Sequence, residues 1–525
     1  MAPVEGNKLI QKAEAIAKEF ELRPEQVRKA VVEFRRLMDL GLQKDKQAMT
    51  MIPTYVTSVP KGTEKGVYLA VDLGGTNFRV CSVTLEGNSS FTIQQSKAAI
   101  PKELMTGDST ALFSFMAAQV GEFVQTHHSE HFLENKEHQL QLGFTFSFPV
   151  DQKAINKGYL LRWTKGFDIK DAVGKDVCEL LQTQLDILGL PVRVAALVND
   201  TVGTLMARSY TSPGTHGALM GAIFGTGTNG AYVEKLSKIT KMTEPGSDFG
   251  KYDTSTGEMV VNTEWGSFDN AMKVLPDTPY DRELDKNSVN PGIQMFEKRV
   301  SGMFLGEILR HALLAMKRDV SLFSTAHIRE DAELNTPWSI DTSVLSHIEG
   351  DESPYLSKTK LTVSEQLGVQ NISTEEARAI KLIVHAIGKR SARLAAVPIA
   401  AVVLSTGKLS PKSATSAPSS LAASAAENIK QGAKAIKAVV TGEPPKADFP
   451  PGGSATTEEP IDIGVDGSVV EFYPGFDGYL REALREVEEV GTFGEKRIRI
   501  GIAKDGSGVG AALIALVASK VLDKK

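Results

Sequence analysis

The sequence predicts an α/β protein made of two related halves that face one another. Two stretches carry that prediction. The first, Val67-Tyr-Leu-Ala-Val-Asp-Leu-Gly-Gly-Thr-Asn-Phe-Arg-Val80, packs an apolar, β-branched strand, a glycine turn and a return strand into one short segment. The second, Gly217-Ala-Leu-Met-Gly-Ala-Ile-Phe-Gly-Thr-Gly-Thr-Asn-Gly-Ala-Tyr-Val-Glu234, repeats the plan about 150 residues later. Glycines without Cβ atoms let backbone N–H groups come within bonding distance of phosphate oxygens. Thr76 and Asn77 add side-chain hydrogen bonds, and Asp72, just before the turn, would face a metal-bound phosphate. Either turn alone reads equally as an ordinary hairpin. The pair points to two halves facing one another across a nucleotide.

The chain has 525 residues, enough for two domains and a large core. Hydrophobic residues at 42%, charged residues at 23% and a net charge of −5 give no general field for nucleic acid or anionic membrane. The two cysteines, Cys81 and Cys178, sit in apolar settings without metal-ligand spacing, which suits core filling in a reducing compartment. The longest apolar run, around residues 394–404, is interrupted by Pro398 and is far shorter than the ~20 residues a membrane span needs. The first residues lack a signal-peptide pattern. A soluble cytoplasmic protein, monomeric or weakly dimeric, is the expectation.

Residues 9–20 and 24–40 carry helical apolar spacing, with Pro24 suited to a first turn. After the opening hairpin, residues 109–127 read as a helix. His127, His128 and His131 follow it in a polar connection and are given no role. Residues 139–149 alternate as a strand ending in Ser147 and Pro149. The loop Gly158-Tyr-Leu-Leu-Arg-Trp-Thr-Lys-Gly-Phe-Asp168 brings Trp163, Thr164 and Lys165 together. Residues 192–198 form a strand leading into Asn199-Asp200 at the start of a helix, where α/β proteins place reacting groups. Asp200 suits a plain N-cap equally well. Glu264 lies in Asn262-Thr-Glu-Trp-Gly-Ser-Phe-Asp-Asn270, and Glu297 follows Asn290-Pro-Gly and opens a long helical pattern. Residues 410–460 break composition towards Ser, Ala, Lys and Pro and suit a mobile insertion. Residues 461–472 read as a strand pair around Asp466-Gly-Ser468 and residues 498–502 as a strand. The stretch Asp505-Gly-Ser-Gly-Val-Gly510 leads into an apolar helix.

Two motif matches lead nowhere, and a third motif is missing. Gly225-x-Gly227-x-x-Gly230 fits the dinucleotide fingerprint, but Ala231-Tyr-Val-Glu continues a strand where that motif opens a helix. Asp248-Phe-Gly250 lacks the His-Arg-Asp loop a protein kinase needs. No Gly-Lys pair is followed by Ser or Thr, so there is no Walker loop.

The ordered set closely resembles the eukaryotic, fungal-type hexokinase and glucokinase family over nearly the whole chain. It comprises Leu73-Gly-Gly-Thr-Asn-Phe-Arg-Val80, Phe144-Thr-Phe-Ser-Phe-Pro149, Arg162-Trp-Thr-Lys-Gly-Phe167, Val198-Asn-Asp-Thr-Val-Gly-Thr-Leu205, Gly225-Thr-Gly-Thr-Asn229, Asn262-Thr-Glu-Trp-Gly266 and Asn290-Pro-Gly292 with Glu297. The resemblance implies a two-lobed actin-like ATPase (ribonuclease H-like) fold, with mixed sheets flanked by helices. It also implies transfer of phosphate from ATP to the 6-hydroxyl of a hexose, glucose foremost, as the entry step of glycolysis. Asp200 would take the hydroxyl proton and Lys165 would offset charge. Ser147, Thr164, Lys165, Asn199, Asp200, Asn229, Glu264 and Glu297 would bind the sugar, whose hydroxyls both donate and accept. Asp72, Gly74, Gly75, Thr76, Asn77, Arg79, Gly225, Thr226, Gly227 and Thr228 would hold the phosphates, and Thr336, Gly407, Gly467 and Ser468 the nucleotide's outer end. No residue binds metal directly: Mg²⁺ would arrive with ATP, reached through water from Asp72 or Asp200.

The expected division is residues 1–66 as helices packing on the large lobe, 67–206 as the small lobe and 207–497 as the large lobe. Residues 498–525 then form a strand and helix returning to the small lobe. Another sugar or acetamido-sugar kinase of the same fold, a catalytically idle sugar sensor and a dehydrogenase are the competing readings.

Overall fold

The computed structural model describes residues 2–75, 77–132, 139–212, 217–409, 459–503 and 505–522. The opening hairpin builds a five-stranded sheet. Its strands lie side by side in the order Phe91–Ala99, Asn77–Glu86, Lys65–Leu73, Leu140–Phe146 and Val192–Val198. The first three form an antiparallel meander and the last two join in parallel. The parallel strands are apolar along almost their whole length because helices cover both faces, whereas the edge strand Phe91–Ala99 is largely exposed. Leu112, Phe113 and Met116 of the helix Ser109–His127 pack on one face with Leu181 and Leu185 of the helix Val177–Ile187.

The second hairpin repeats the plan. Its sheet runs Glu258–Asn262, Thr228–Lys235, Met220–Phe224, Ile461–Asp466 and Ile498–Ile502, with the same order and the same change from antiparallel to parallel. The two-residue strand Ile52–Pro53 adds to its outer edge. Helices Ala2–Glu19 and Pro24–Gln43 pack on this half against the helix Thr374–Ser405. That helix continues through Pro398, where the sequence suggested an interruption, and burial of its apolar residues on all sides supports it there.

Each half sends one helix across to the other. The strand Val192–Val198 belongs to the first sheet, yet the helix Asp200–Thr211 after it lies on the second: a Cβ at Gly221 would sit 2.3 Å from Leu205 N. Arg208 fixes it there through bonds of 3.0 and 2.8 Å to the buried Asp462. The expected boundary at residue 206 therefore moves to the start of this helix. In return, the strand Ile498–Ile502 pairs with Ile461–Asp466 in the second sheet and does not enter the first. Only the helix Ala511–Leu522 crosses over, and Gly143 of the first sheet has no room for a Cβ beneath Ala511 O, 2.1 Å away. The two crossings touch backbone to backbone. A Cβ at Gly203 would lie 2.2 Å from Gly506 O, and one at Gly510 would lie 2.1 Å from Gly203 O.

Two local expectations change. Residues 467–472 turn into the helix Ser468–Phe472, not a second strand, because Gly467 at φ 117° reverses the chain. The pattern opened by Glu297 is a short helix, Glu297–Val300, broken at Ser301 before Gly302–Val320. Most of the expected insertion, residues 410–458, lies outside the described residues, as does Thr76.

Candidate active site

The cleft between the halves collects the ends of the parallel strands. Asp72 sits at the end of Lys65–Leu73, directly across from Arg79 in the hairpin register. Gly74 leaves the turn open beside Ser147, which stands just past the neighbouring strand and donates its N–H to Leu73 O at 3.3 Å. An outer cavity of about 660 Å³ is lined by Asp72, Gly74, Gly75, Asn77 and Arg79, and on its far side by Gln95, Ser96 and Lys97. An inner one of about 220 Å³ joins Asp72, Ser147 and Asp200 to Thr204, Asp466 and Ser507.

The loop carrying Thr164 and Lys165 rests on an aromatic cluster. Trp163 stacks on Phe167 at 5.3 Å, meets the edges of Phe146 and Phe148, and donates its indole N–H to Ile169 O at 2.7 Å. Lys165 adopts φ 57°, a left-handed conformation disfavoured for lysine, and its ammonium donates to Ser147 O at 3.0 Å above the Phe148 ring. Burial lowers its pKa, opposed by the charges of Asp200 and Asp72.

At the start of the crossing helix the two adjacent polar residues divide the work. Asn199 is the N-cap: its Oδ1 accepts from Thr201 N–H at 3.0 Å and from the Thr201 hydroxyl at 2.5 Å. Asp200 is the first helical residue and lines the inner cavity. Burial, then the Glu264 carboxylate, pushes its carboxyl up to about 6, against a bond from Thr201 N–H that favours the anion.

The second half supplies the opposing wall. Glu264 takes φ 54°, and its Oε1 accepts from Asn229 at 3.0 Å and Asn262 at 2.7 Å. Burial raises its pKa, partly offset by these two amides. Glu297 Oε1 accepts from Thr228 N–H in the second glycine turn at 3.1 Å. Burial takes its carboxyl up to about 7, with the Thr228 bond opposing and the Glu264 charge adding. Trp265 ties the two together: its indole N–H donates to the Thr228 hydroxyl at 3.0 Å, and its ring fills the space where a Cβ on Gly230 would fall, 2.1 Å away. The turn itself is held from behind, with Gly302 N–H and Met303 N–H donating to Gly225 O and Thr226 O at 2.7 and 3.1 Å. Gly225 and Gly467 approach so closely that a Cβ on Gly467 would lie 2.5 Å from Gly225 N. This brings Ser468, next in the chain, beside the second turn.

A buried carboxylate beside like charges, a lysine opposite it, amides, and glycine turns on both walls are the groups that deprotonation of a hydroxyl beside a phosphate would require. Family models described as hexokinase match residues 12–210 and 219–517. The chain belongs to the hexokinase family. It is an ATP-dependent hexose kinase. It is 53% identical to the glucokinase of Aspergillus niger, over 98% of each chain, and 42% identical to glucokinase-1 of Saccharomyces cerevisiae, over 97% of each. The hexokinase of Schistosoma mansoni, solved in complex with glucose, superposes with a TM-score of 0.73 at 33% identity, over 98% of this chain and 99% of that one.

Of the residues that the resemblance singles out, Asp72, Gly74, Gly75, Asn77, Arg79, Ser147 and Asp200 line these two cavities; the other described ones, Thr336 and Gly407 among them, do not. Thr336 lies in a loop tied through Trp338 N–H to Glu307 at 2.8 Å, and Gly407 ends the turn after Thr374–Ser405 at φ 70°. Sequence reasoning passed over Asn262, Lys97, Asp466, Asp505 and Ser507. A signal for three of them existed: Asp-Gly-Ser occurs at both 466–468 and 505–507, just past the ends of two neighbouring parallel strands. Among the described residues there is no group of three or more His, Cys, Asp or Glu able to hold a metal ion, and no helix is long and apolar enough to cross a membrane. Cys81 and Cys178 are buried free thiols.

Proposed function

We propose that this hexokinase-family protein phosphorylates glucose at its 6-hydroxyl, with Asp200 as the general base. The observation that carries this reading is the division at the helix start: Asn199 is the extended cap residue, and Asp200, the first helical residue, lines the inner cavity within the influence of the Glu264 and Glu297 charges. A base with a pKa near 6 is better matched to neutral pH than an ordinary aspartate near 4, and such assistance is worth roughly 10²–10⁴ in rate. Ser147, Thr164, Lys165 and Asn199 hold the sugar from one lobe, Asn229, Glu264 and Glu297 from the other. The two glycine turns, with Arg79, Gly467 and Ser468, cradle the phosphates. Lys165 offsets charge on the transferred group.

Mg²⁺ suits this site as a companion of the nucleotide. Asp72 lines both cavities, and its carboxylate is a hard donor for an ion that keeps several waters and binds phosphate oxygens. When bound, it neutralises phosphate charge. Residues from both lobes contact one sugar, so glucose draws the lobes together and excludes water from ATP. We place the protein in the cytoplasm, in keeping with its two free thiols.

The test is ADP formation from Mg·ATP with glucose, fructose, mannose, N-acetylglucosamine or no sugar. Strong dependence on glucose is expected. Equal ADP formation without sugar, or sugar binding with no ADP at all, overturns the assignment.

A further inference from the structure

The turn that carries the last crossing reaches back to the first glycine hairpin. Arg79 Nη1 donates to Asp505 Oδ1 at 2.6 Å, Nη2 donates to the Ser507 hydroxyl, and Nη2 stands 3.4 Å from Asp72 Oδ2. Ser507 is itself fixed, its carbonyl accepting from the Thr145 hydroxyl at 2.9 Å. Asp505 adopts φ 59°, and its carboxylate lies over Gly508, where a Cβ would come within 2.9 Å of Oδ2. A side chain at 508 would push that carboxylate off Arg79.

Arg79 has a like-charged neighbour. Asp72, Arg79 and Lys97 stand in one register across three adjacent strands, and all three line the outer cavity. A guanidinium beside a lysine, on a long flexible stem, has many places to point. Here three contacts occupy Nη1 and Nη2, which leaves N–H groups among the five to meet an anion.

We propose that Asp505, with Ser507, is a positioning residue for phosphoryl transfer, fixing the Arg79 guanidinium so that its remaining N–H groups meet the nucleotide's phosphates. This rests on the reading of Arg79 as a phosphate contact. Two effects of Asp505 oppose each other. Its charge repels phosphate, and its bond removes the freedom that Arg79 would otherwise lose on binding. The carboxylate is already neutralised by direct contact with Arg79, so orientation outweighs repulsion.

The experiment is steady-state kinetics of the full chain, varying Mg·ATP and glucose separately, for Asp505→Ala, Asp505→Asn, Ser507→Ala, Arg79→Met and the double variant Arg79→Met/Asp505→Ala. Asp505→Ala should raise KM for Mg·ATP about tenfold, the scale of one ordered rotamer-rich side chain, with KM for glucose unchanged. Asp505→Asn keeps an acceptor oxygen and should recover most of that loss. Adding Asp505→Ala to Arg79→Met should change nothing further. An unchanged or lower KM for Mg·ATP in Asp505→Ala, or full additivity with Arg79→Met, overturns the proposal. Should Asp505→Ala fail to fold, Ser507→Ala decides, since an unchanged KM for Mg·ATP there overturns it equally. An unchanged KM for Mg·ATP in Arg79→Met removes the phosphate role of Arg79 itself, a failure distinct from that of Asp505.

Discussion

Replacing Asp200 by asparagine should sharply lower turnover and stabilise the protein at the same time. The folded carboxyl sits at about 6 against an ordinary value of 3.8. Each unit corresponds to about 1.4 kcal/mol, so ionising Asp200 in the fold costs up to about 3 kcal/mol, and about 1–3 once its remaining solvent contact is discounted. Asparagine keeps the shape and retains an oxygen to accept from Thr201 N–H, the 2.8 Å bond of the native residue. The sign follows from linkage. The folded state holds the Asp200 proton more tightly than the unfolded chain does, so the native protein loses stability as pH rises from about 4 through about 6. Asp200→Asn should therefore melt a few degrees higher than the native protein at about pH 7.5, with the gain vanishing near pH 4. Turnover should fall by roughly 10²–10⁴. Calorimetric scans at both pH values check this. An equal or lower melting temperature at about pH 7.5, or a gain of the same size at pH 4, refutes the picture of a carboxylate held among like charges.

Other outcomes can be set beside it. The acid limb of kcat/KM should fall between about pH 6 and 7, where Asp200 and Glu297 take up protons; a limb near pH 4 would mean neither is perturbed. Asn262→Ala removes a charge-assisted bond to Glu264 and should weaken glucose binding about 10- to 100-fold by calorimetry; unchanged affinity would make that amide incidental. Gly230→Ala drives a methyl into the Trp265 ring and should destabilise by about 1–3 kcal/mol in denaturant titration. Adding glucose should contract the X-ray scattering profile, and an unchanged profile counts against lobe closure.

How much of this could be read beforehand depended on whether the signal was local. The paired turns were legible because a strand, two glycines and a Thr-Asn pair fit in a few residues, and doubling them gave the two-sheet plan that the common strand order displays. Asp200 was legible only as an ambiguity between cap and base. Asn199 and Asp200 are both good caps, and Thr201 N–H donates to both; choosing between them takes the backbone, which is extended at Asn199 and turns helical at Asp200. Asn262 was hidden because its partner Asn229 lies on the next strand, and pairing Ala231 with Asn262 is a matter of register that sequence does not state. The strand Ile498–Ile502 was placed on the wrong side because an apolar five-residue run fits either sheet equally. The helix Ser468–Phe472 was missed because one glycine's φ decides it.

The glycine contact between the two crossings has a mechanical meaning. Where Gly203 meets Gly506 and Gly510, backbone packs against backbone with no room for a Cβ, and the Thr204 hydroxyl flanks Gly506. In any rotation about such a contact, displacement grows with distance from it. Asp200 stands less than one helical turn from Gly203. A closure of the lobes that turned on this contact would move Asp200 little, and the alignment of the proposed base would then be inherited from the fold and not rebuilt at every turnover.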